Sequence, residues 1–267
     1  MEANYNYNCA VIVSSCDAYE DAWMPFFTLF FRYWPDCPFP VYLITETKTY
    51  SGPRVVTLNY PDQSWATRTK KTLDRVKETY IIWLLEDLFF EAKTDTNYIV
   101  ELISYAKTHH AATIRLEPNP PPDENYLNNL NLGLVSKKAE YRTSLISGIW
   151  NKDIFSSLIK PGESPWQMEV EGTNRSRSLD FQFFCVKSRA LHWLNVGAIR
   201  SGKWTHEAVE LCKREGITLN TRRLGIHRKR QFQMWGNKFR KGKFAHVVRQ
   251  IPVAGWILSK LFYRVIK

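Results

Sequence analysis

Tyr80-Ile-Ile-Trp-Leu-Leu-Glu-Asp87 is the stretch on which the reading of this 267-residue chain turns. Six consecutive apolar residues, Tyr80 to Leu85, predict a central strand covered on both faces. The run stops abruptly at two acids, Glu86 and Asp87. Such a strand needs helices above and below it, and the flanking sequence supplies them. Upstream, Ser64 to Thr79 reads as a helix with Ser64 as its N-cap. Cys9 to Ser15 reads as a buried first strand that ends in the polar turn Ser15-Cys16-Asp17. Between them lie an aromatic helix, Ala22 to Tyr33, and two short strands, Pro40 to Thr45 and Arg54 to Leu58.

Downstream, Tyr98, Ile99, Leu102, Ile103 and Ala106 recur with helical period, and Ala111 to Leu116 reads as a further strand. Residues 117–131 are rich in Pro and Asn and read as a surface loop within one domain. Tyr141 to Trp150 and Phe181 to Val186 read as strands completing the same sheet, joined through a polar stretch, Ser164 to Ser178. Thr205 to Arg214 reads as a helix capped by Thr205 and stopped at Gly216. The fold class is therefore α/β, with a mixed, mostly parallel, Rossmann-like sheet flanked by helices.

Composition narrows the partners. Net charge is +11, yet 13 of the 37 Lys and Arg lie between Arg222 and Lys267, and no acid follows Glu215. The other 24 basic residues stand beside all 26 acidic ones, so the body is nearly neutral and the tail carries the charge. Residues 1–225 read as the folded domain and 226–267 as a basic appendage that meets something anionic. Five scattered cysteines without a C-x-x-C pair fit a reducing cytosol. No signal peptide is visible at the Met-Glu-Ala-Asn start.

Three features could carry chemistry. Ligands of open α/β sheets bind beyond the carboxyl ends of the strands, where Glu86 and Asp87 could hold a divalent cation against a pyrophosphate. A solvated strand end or a cap would look the same. Arg68, Lys71 and Arg75 recur at helical spacing and form a basic stripe, suited to phosphate or simply to solvent. Glu169, in Pro165-Trp166-Gln167-Met168-Glu169-Val170-Glu171-Gly172, could act as a general base beside an aromatic ring, or belong to an exposed acidic loop.

In order along the chain, Val11-Ile-Val-Ser-Ser-Cys-Asp17, Ser64-Trp65-Ala-Thr-Arg68, Leu84-Leu-Glu-Asp-Leu-Phe-Phe90, Ile114-Arg-Leu116, Tyr141-Arg-Thr-Ser-Leu145 with Trp150, Ser164-Pro-Trp-Gln-Met-Glu169 with Gly172, and Asn195 to Trp204 span most of residues 9–225. In these stretches the chain resembles bacterial GT-A-type glycosyltransferases of surface-polysaccharide (capsule and O-antigen) gene clusters. The resemblance implies a nucleotide-sugar donor, a glycan or lipid-linked glycan acceptor, and hexosyl transfer with inversion. It implies donor binding by Ser14, Ser15, Asp17, Arg68, Lys71, Glu86 and Asp87, with Mg²⁺ or Mn²⁺ held by Glu86 and Asp87. It implies Glu169 as catalytic base, with Glu171 second, and Trp166, Arg175 and Arg177 at the acceptor. The chain departs from the family's Asp-x-Asp pattern, because Leu88 and Phe89 follow Asp87, so Arg68 would share the charge-neutralising role. His227 is a further candidate metal ligand.

From Ala254 to Lys267, apolar Ile257, Leu258, Leu261, Phe262 and Val265 share one helical face, opposite Lys260, Arg264 and Lys267, downstream of Lys238-Phe-Arg-Lys-Gly-Lys243. This pattern reads as an interfacial anchor or as a helix packed on the body. Each basic residue near an anionic leaflet contributes up to about 1 kcal/mol. The expected location is cytoplasmic, peripheral on the inner face of the cytoplasmic membrane. A nucleic-acid-binding protein is the rival class, but the tail lacks zinc spacing, a heptad zipper or an aromatic RNA-binding signature, so no nucleic-acid partner is expected. A nucleotidyltransferase would carry a Gly-rich loop after the first strand, and Ser14 to Asp21 contains no Gly.

Overall fold

The computed structural model describes residues 7–127 and 130–223. The tail 226–267, His227 and the boundary at 225 lie outside the described residues. Strand β1 (Cys9–Ser14) leads through a one-turn 3-10 helix, Asp17–Tyr19, into α1 (Glu20–Tyr33). There follow β2 (Val41–Thr45), β3 (Val55–Asn59), α2 (Trp65–Arg75), β4 (Tyr80–Leu85), α3 (Thr96–Thr108) and β5 (Ala111–Arg115). The second half comprises β6 (Glu124–Asn125), β7 (Leu132–Leu134), β8 (Gly148–Asn151), α4 (Lys152–Leu158), α5 (Pro165–Ser176), β9 (Gln182–Val186), β10 (Ile199–Arg200), β11 (Lys203–Trp204) and α6 (His206–Arg214).

The main sheet has nine strands in the order β3-β2-β1-β4-β8-β5-β9-β7-β6. Strands β3, β2, β1 and β4 are parallel, β8 runs antiparallel between β4 and β5, and β9 is again parallel to β5. This is the mixed, mostly parallel sheet flanked by helices expected from the sequence. Alternation along the strands divides the core into two layers. Val11, Val13, Ile82 and Leu84 face α1, α3 and α6, whereas Ala10, Ile12, Ile81 and Trp83 face α2, α4 and α5. Each large apolar side chain taken fully out of water contributes about 1.5–3 kcal/mol. The α1 side is consequently well anchored by Trp23, Phe26, Phe27 and Phe30, all at most 2% exposed.

Caps fall where the sequence puts them. Ser64 accepts from Thr67 N–H, and Thr205 accepts from Ala208 N–H. Gly216, at φ 67°, supplies the left-handed turn beyond α6. Three expectations fail. Helix α2 stops at Arg75, short of Thr79, because Val76 turns extended to deliver the chain to β4. Of the strand read over Tyr141 to Trp150, only Gly148 to Trp150 is strand, within β8. Residues 141–147 instead turn over the sheet, from a left-handed Tyr141 at φ 51°. The polar stretch Ser164 to Ser178 is the helix α5, started by a capping box in which Ser164 and Gln167 satisfy each other's backbone N–H, with Pro165 in the first turn. The loop 117–131 also contributes the short strand β6.

Candidate active site

The chain moves outward from β1 to β2 and β3, then returns to place β4 on the other side of β1. Beside β1 the strand order therefore reverses, and in open α/β sheets ligands bind beyond the carboxyl edge at such a point. Ser14 pairs in register with Leu85 on one side and with Ile44 on the other. Ser15 and Glu86 thus emerge side by side, with Glu46 one position further along on the β2 side. Strand β8 starts at Gly148, opposite Trp83 and Arg115, so residues 144–147 reach the same edge.

Glu86 is 8% exposed. Burial, reinforced by the neighbouring Asp87 charge, pushes its carboxyl up to about 8, although its own backbone N–H and Arg223 pull the other way. Burial likewise raises Asp87 to about 6. Among the described residues, no other side chain forms an ion pair or hydrogen bond with either carboxylate. The backbone clamps the pair from outside. Ala198 N–H donates to Asp87 O at 2.7 Å, and Gly197, at φ 70°, lies so close that an added Cβ would meet Asp87 Oδ2 at 2.8 Å. No group of three or more His, Cys, Asp or Glu able to hold a metal occurs among the described residues. The buried Glu86 and half-buried Asp87, with no cationic partner among the described residues, fit a hard divalent ion that takes its other ligands from phosphate and water.

Arg68 does not share a solvated stripe with Lys71 and Arg75. It is 6% exposed, pairs with Glu46 at 2.5 Å, and leaves Nε without a partner, whereas Lys71 and Arg75 are exposed. The cause is packing: α2 turns Arg68, Thr69, Thr72 and Leu73 inward, and Arg68 sits where the helix begins at the carboxyl edge. The Cys16 thiol, raised chiefly by burial, also feels Glu86, Glu46 and Arg68, which places all three around the turn after β1.

The residues of that turn hold this edge in shape. Ser14 Oγ accepts from Trp65 Nε1 at 3.3 Å, and Ser15 Oγ accepts from Trp23 Nε1 at 2.7 Å. Asp17 accepts from the backbone N–H groups of Glu46, Thr47 and Lys48. Burial opposes ionisation there, but these bonds and the Thr47 hydroxyl outweigh it and hold the carboxyl below its ordinary value.

Glu169 lies on α5, not on a loop. Its Oε1 accepts from Leu145 N–H at 2.7 Å and from the Ser144 hydroxyl at 3.3 Å. Burial raises its pKa against those two bonds. Three residues earlier on the helix, Trp166 is 71% exposed and free to stack on a ring. Glu171 is exposed and bonded to Asn174, two positions from Glu169 and therefore on another side of the helix. Arg175 bonds within the protein, to Glu163 at 2.8 Å and to Leu158 O at 2.9 Å. Arg177 is exposed at the end of α5.

Sequence reading missed Arg223, Gly197 and Glu46. Arg223 pairs with Asp21 through Nε at 2.9 and 2.8 Å and packs 4.7 Å over the Tyr19 ring. With Asp17, Asp21, Gly202 and Arg222 it lines a cavity of about 180 Å³ beside the turn after β1. The run of basic residues beginning at Arg222 concealed its local role.

No protein-family model matches the chain, and no curated protein matches it in sequence. Solved structures do resemble it. TarS residues 1–349 of S. aureus, in complex with UDP, is 11% identical with a TM-score of 0.47, over 68% of this chain and 59% of that one. The mannosyltransferase PcManGT from Pyrobaculum calidifontis, in complex with GDP-Man and Mn²⁺, is 8% identical with a TM-score of 0.43, over 68% of this chain and 55% of that one. The chain thus spans less than two thirds of either.

Proposed function

We propose that the chain is a nucleotide-sugar-dependent glycosyltransferase of the hexosyl-transferring type. Its acceptor is a glycan, lipid-linked, in the assembly of a bacterial surface polysaccharide. The observation that carries this reading is the buried Glu86 and half-buried Asp87 at the reversal of strand order, with no cationic side chain among the described residues bonded to either and with Arg68 close by. Acids so placed suit a divalent cation, and with a cation bound there and Arg68 beside it the edge would suit a diphosphate better than a neutral ligand.

In the proposed reaction Arg68 exchanges part of its bond to Glu46 for the donor diphosphate, and Arg223 closes the other side. A divalent cation bound at Glu86 and Asp87 would neutralise the leaving group. Glu169 takes the proton of an acceptor hydroxyl, whose oxygen attacks the anomeric carbon from the face opposite the diphosphate. The bond from that carbon to the diphosphate oxygen breaks, and the nucleoside diphosphate departs with the electron pair. Leu145 N–H and the Ser144 hydroxyl hold the base in place, and Trp166 offers a stacking surface to the acceptor ring. The basic tail, read from sequence, brings the enzyme to the membrane that holds a lipid-linked acceptor. No helix among the described residues is long and apolar enough to cross a membrane.

A thermal-shift panel of UDP-, GDP-, CMP- and dTDP-sugars, each with and without Mn²⁺, tests the reading. A donor at a hundred times its dissociation constant stabilises by about 2.7 kcal/mol. A selective, Mn²⁺-enhanced shift is expected; folded protein that responds to no donor would remove the reading. Removal of residues 236–267 should abolish sedimentation with anionic liposomes, and unchanged sedimentation would refute the anchor.

A further inference from the structure

The amino end of β9 and the carboxyl end of the antiparallel β7 beside it, at the opposite edge of the sheet, carry a second recess. A cavity of about 360 Å³ opens there, floored by Arg142 and walled by Ser136, Lys137, Lys138, Phe181 and Gln182, with Glu124 and Asp180 also lining it. Arg142 decides its character. The guanidinium is 2% exposed and lies 3.5 Å over the Phe183 ring. Its Nε donates to Val135 O at 3.2 Å, Nη1 to Ser176 O at 2.7 Å, and Nη2 to Phe181 O at 3.4 Å. All three acceptors are neutral carbonyls, which orient the cation and leave its charge uncancelled.

Asp123 is the acid whose field reaches it, and both Asp123 oxygens are already spent on Ser136, one on the N–H at 2.8 Å and one on the hydroxyl at 2.6 Å. Arg115, also 2% exposed, is disfavoured as a cation by burial; Cys185 beside it and, more weakly, the same Asp123 oppose this, and its Nε and Nη2 make no hydrogen bond with a described residue. Two buried guanidinium groups therefore stand against one exposed carboxylate, an imbalance that a bound anion would relieve. At the mouth, Lys137 makes only a 3.9 Å contact with the fully exposed Asp180, which is worth little in water. Lys138 is exposed and forms no ion pair with a described residue. Phe181, 37% exposed, gives a ring face beside these charges.

We infer that this cavity binds an oxyanion carried by a sugar unit, a carboxylate or a phosphate, with Arg142 as its floor and Lys137 and Lys138 at its mouth. Position relates it to the first site. Arg142 grips Ser176 at the end of α5, while Glu169 lies seven positions nearer its start, a rise of roughly 10 Å along the helix. An acceptor with its hydroxyl at Glu169 would extend along α5 and place an acidic unit in the cavity. That substrate class, an acidic glycan, rests on the transferase reading; the anion binding itself does not.

The test uses the full chain and NMR amide shifts at Ser136 to Lys138 and at Phe181 and Gln182. D-glucuronate, inorganic phosphate and D-glucose are added in separate titrations. Saturable shifts with glucuronate or phosphate, and none with glucose, are expected, and the stronger anion names the group. Arg142 substitutions could simply unfold the chain, so exposed lysines carry the genetic arm. Lys138→Glu should weaken anion binding tenfold or more at unchanged Tm. An equal response to glucose, no response to either anion, or unchanged affinity in both Lys137→Glu and Lys138→Glu would overturn the inference. Nucleotide-sugar thermal shifts on the same samples separate the two readings, since each site can respond without the other.

Discussion

Replacing Glu86 by Gln should make the protein more stable at neutral and alkaline pH. Glu86 is buried beside Asp87, and its carboxyl titrates at about 8 in place of the ordinary 4.5. Below about pH 4.5 the folded and unfolded chains both hold this proton, and the residue costs nothing. As pH rises towards about 8 the unfolded chain releases the proton while the folded chain keeps it. The folded state then binds more protons, so stability falls with rising pH across this window. From 4.5 to about 8 the difference corresponds to up to about 5 kcal/mol, a large share of the roughly 5–15 kcal/mol that holds a domain together. Gln keeps the shape and carries no charge. Urea unfolding followed by Trp fluorescence, in chelator and at a series of pH values, should show the slope nearly lost in E86Q, with Asp87 leaving a smaller slope below about pH 6. The two proteins should agree near about pH 4.5 and diverge by several kcal/mol near about pH 8. Mn²⁺ with the bound nucleotide should restore wild-type stability at high pH, because only the ionised pair holds a cation. Parallel pH profiles, or a less stable E86Q at high pH, would refute the account of this pair.

Glu169→Gln should lower kcat by roughly 10²–10⁴-fold with little change in Tm, since Gln can still accept from Leu145 N–H; an unchanged kcat in steady-state assays would exclude Glu169 as the base. Arg68→Lys should raise the donor KM by at least tenfold, because one ammonium cannot bridge Glu46 and a diphosphate as the planar fork does; donor titration by calorimetry measures this directly. Ser164→Ala removes the α5 cap at a cost of about 1 kcal/mol, which for a domain of this size lowers Tm by about 2–4 °C, and a scanning calorimeter would detect it.

The parallel half of the sheet was legible because its signals are local. Tyr80 to Leu85 announces a two-sided strand by its unbroken apolar run, and β4 has those bounds. Ser64 and Thr205 cap the helices that follow them because a hydroxyl in that position reaches an N–H only three residues away. Even α5 was written in the sequence, as Ser164-Pro165 followed by Gln167, although its polar surface reads as a loop. The sheet alone decided the standing of the charges. Lys71 and Arg68 look alike along α2, yet only Arg68 faces β2 and is buried against Glu46. Arg175 and Glu169 share α5, yet one is consumed by Glu163 and the other bonds to Leu145. Asp87 gains its close neighbour Gly197 from a loop more than a hundred residues later. Periodicity reports how a segment meets water; what a buried charge meets depends on strands brought together from distant parts of the chain, which no local pattern encodes.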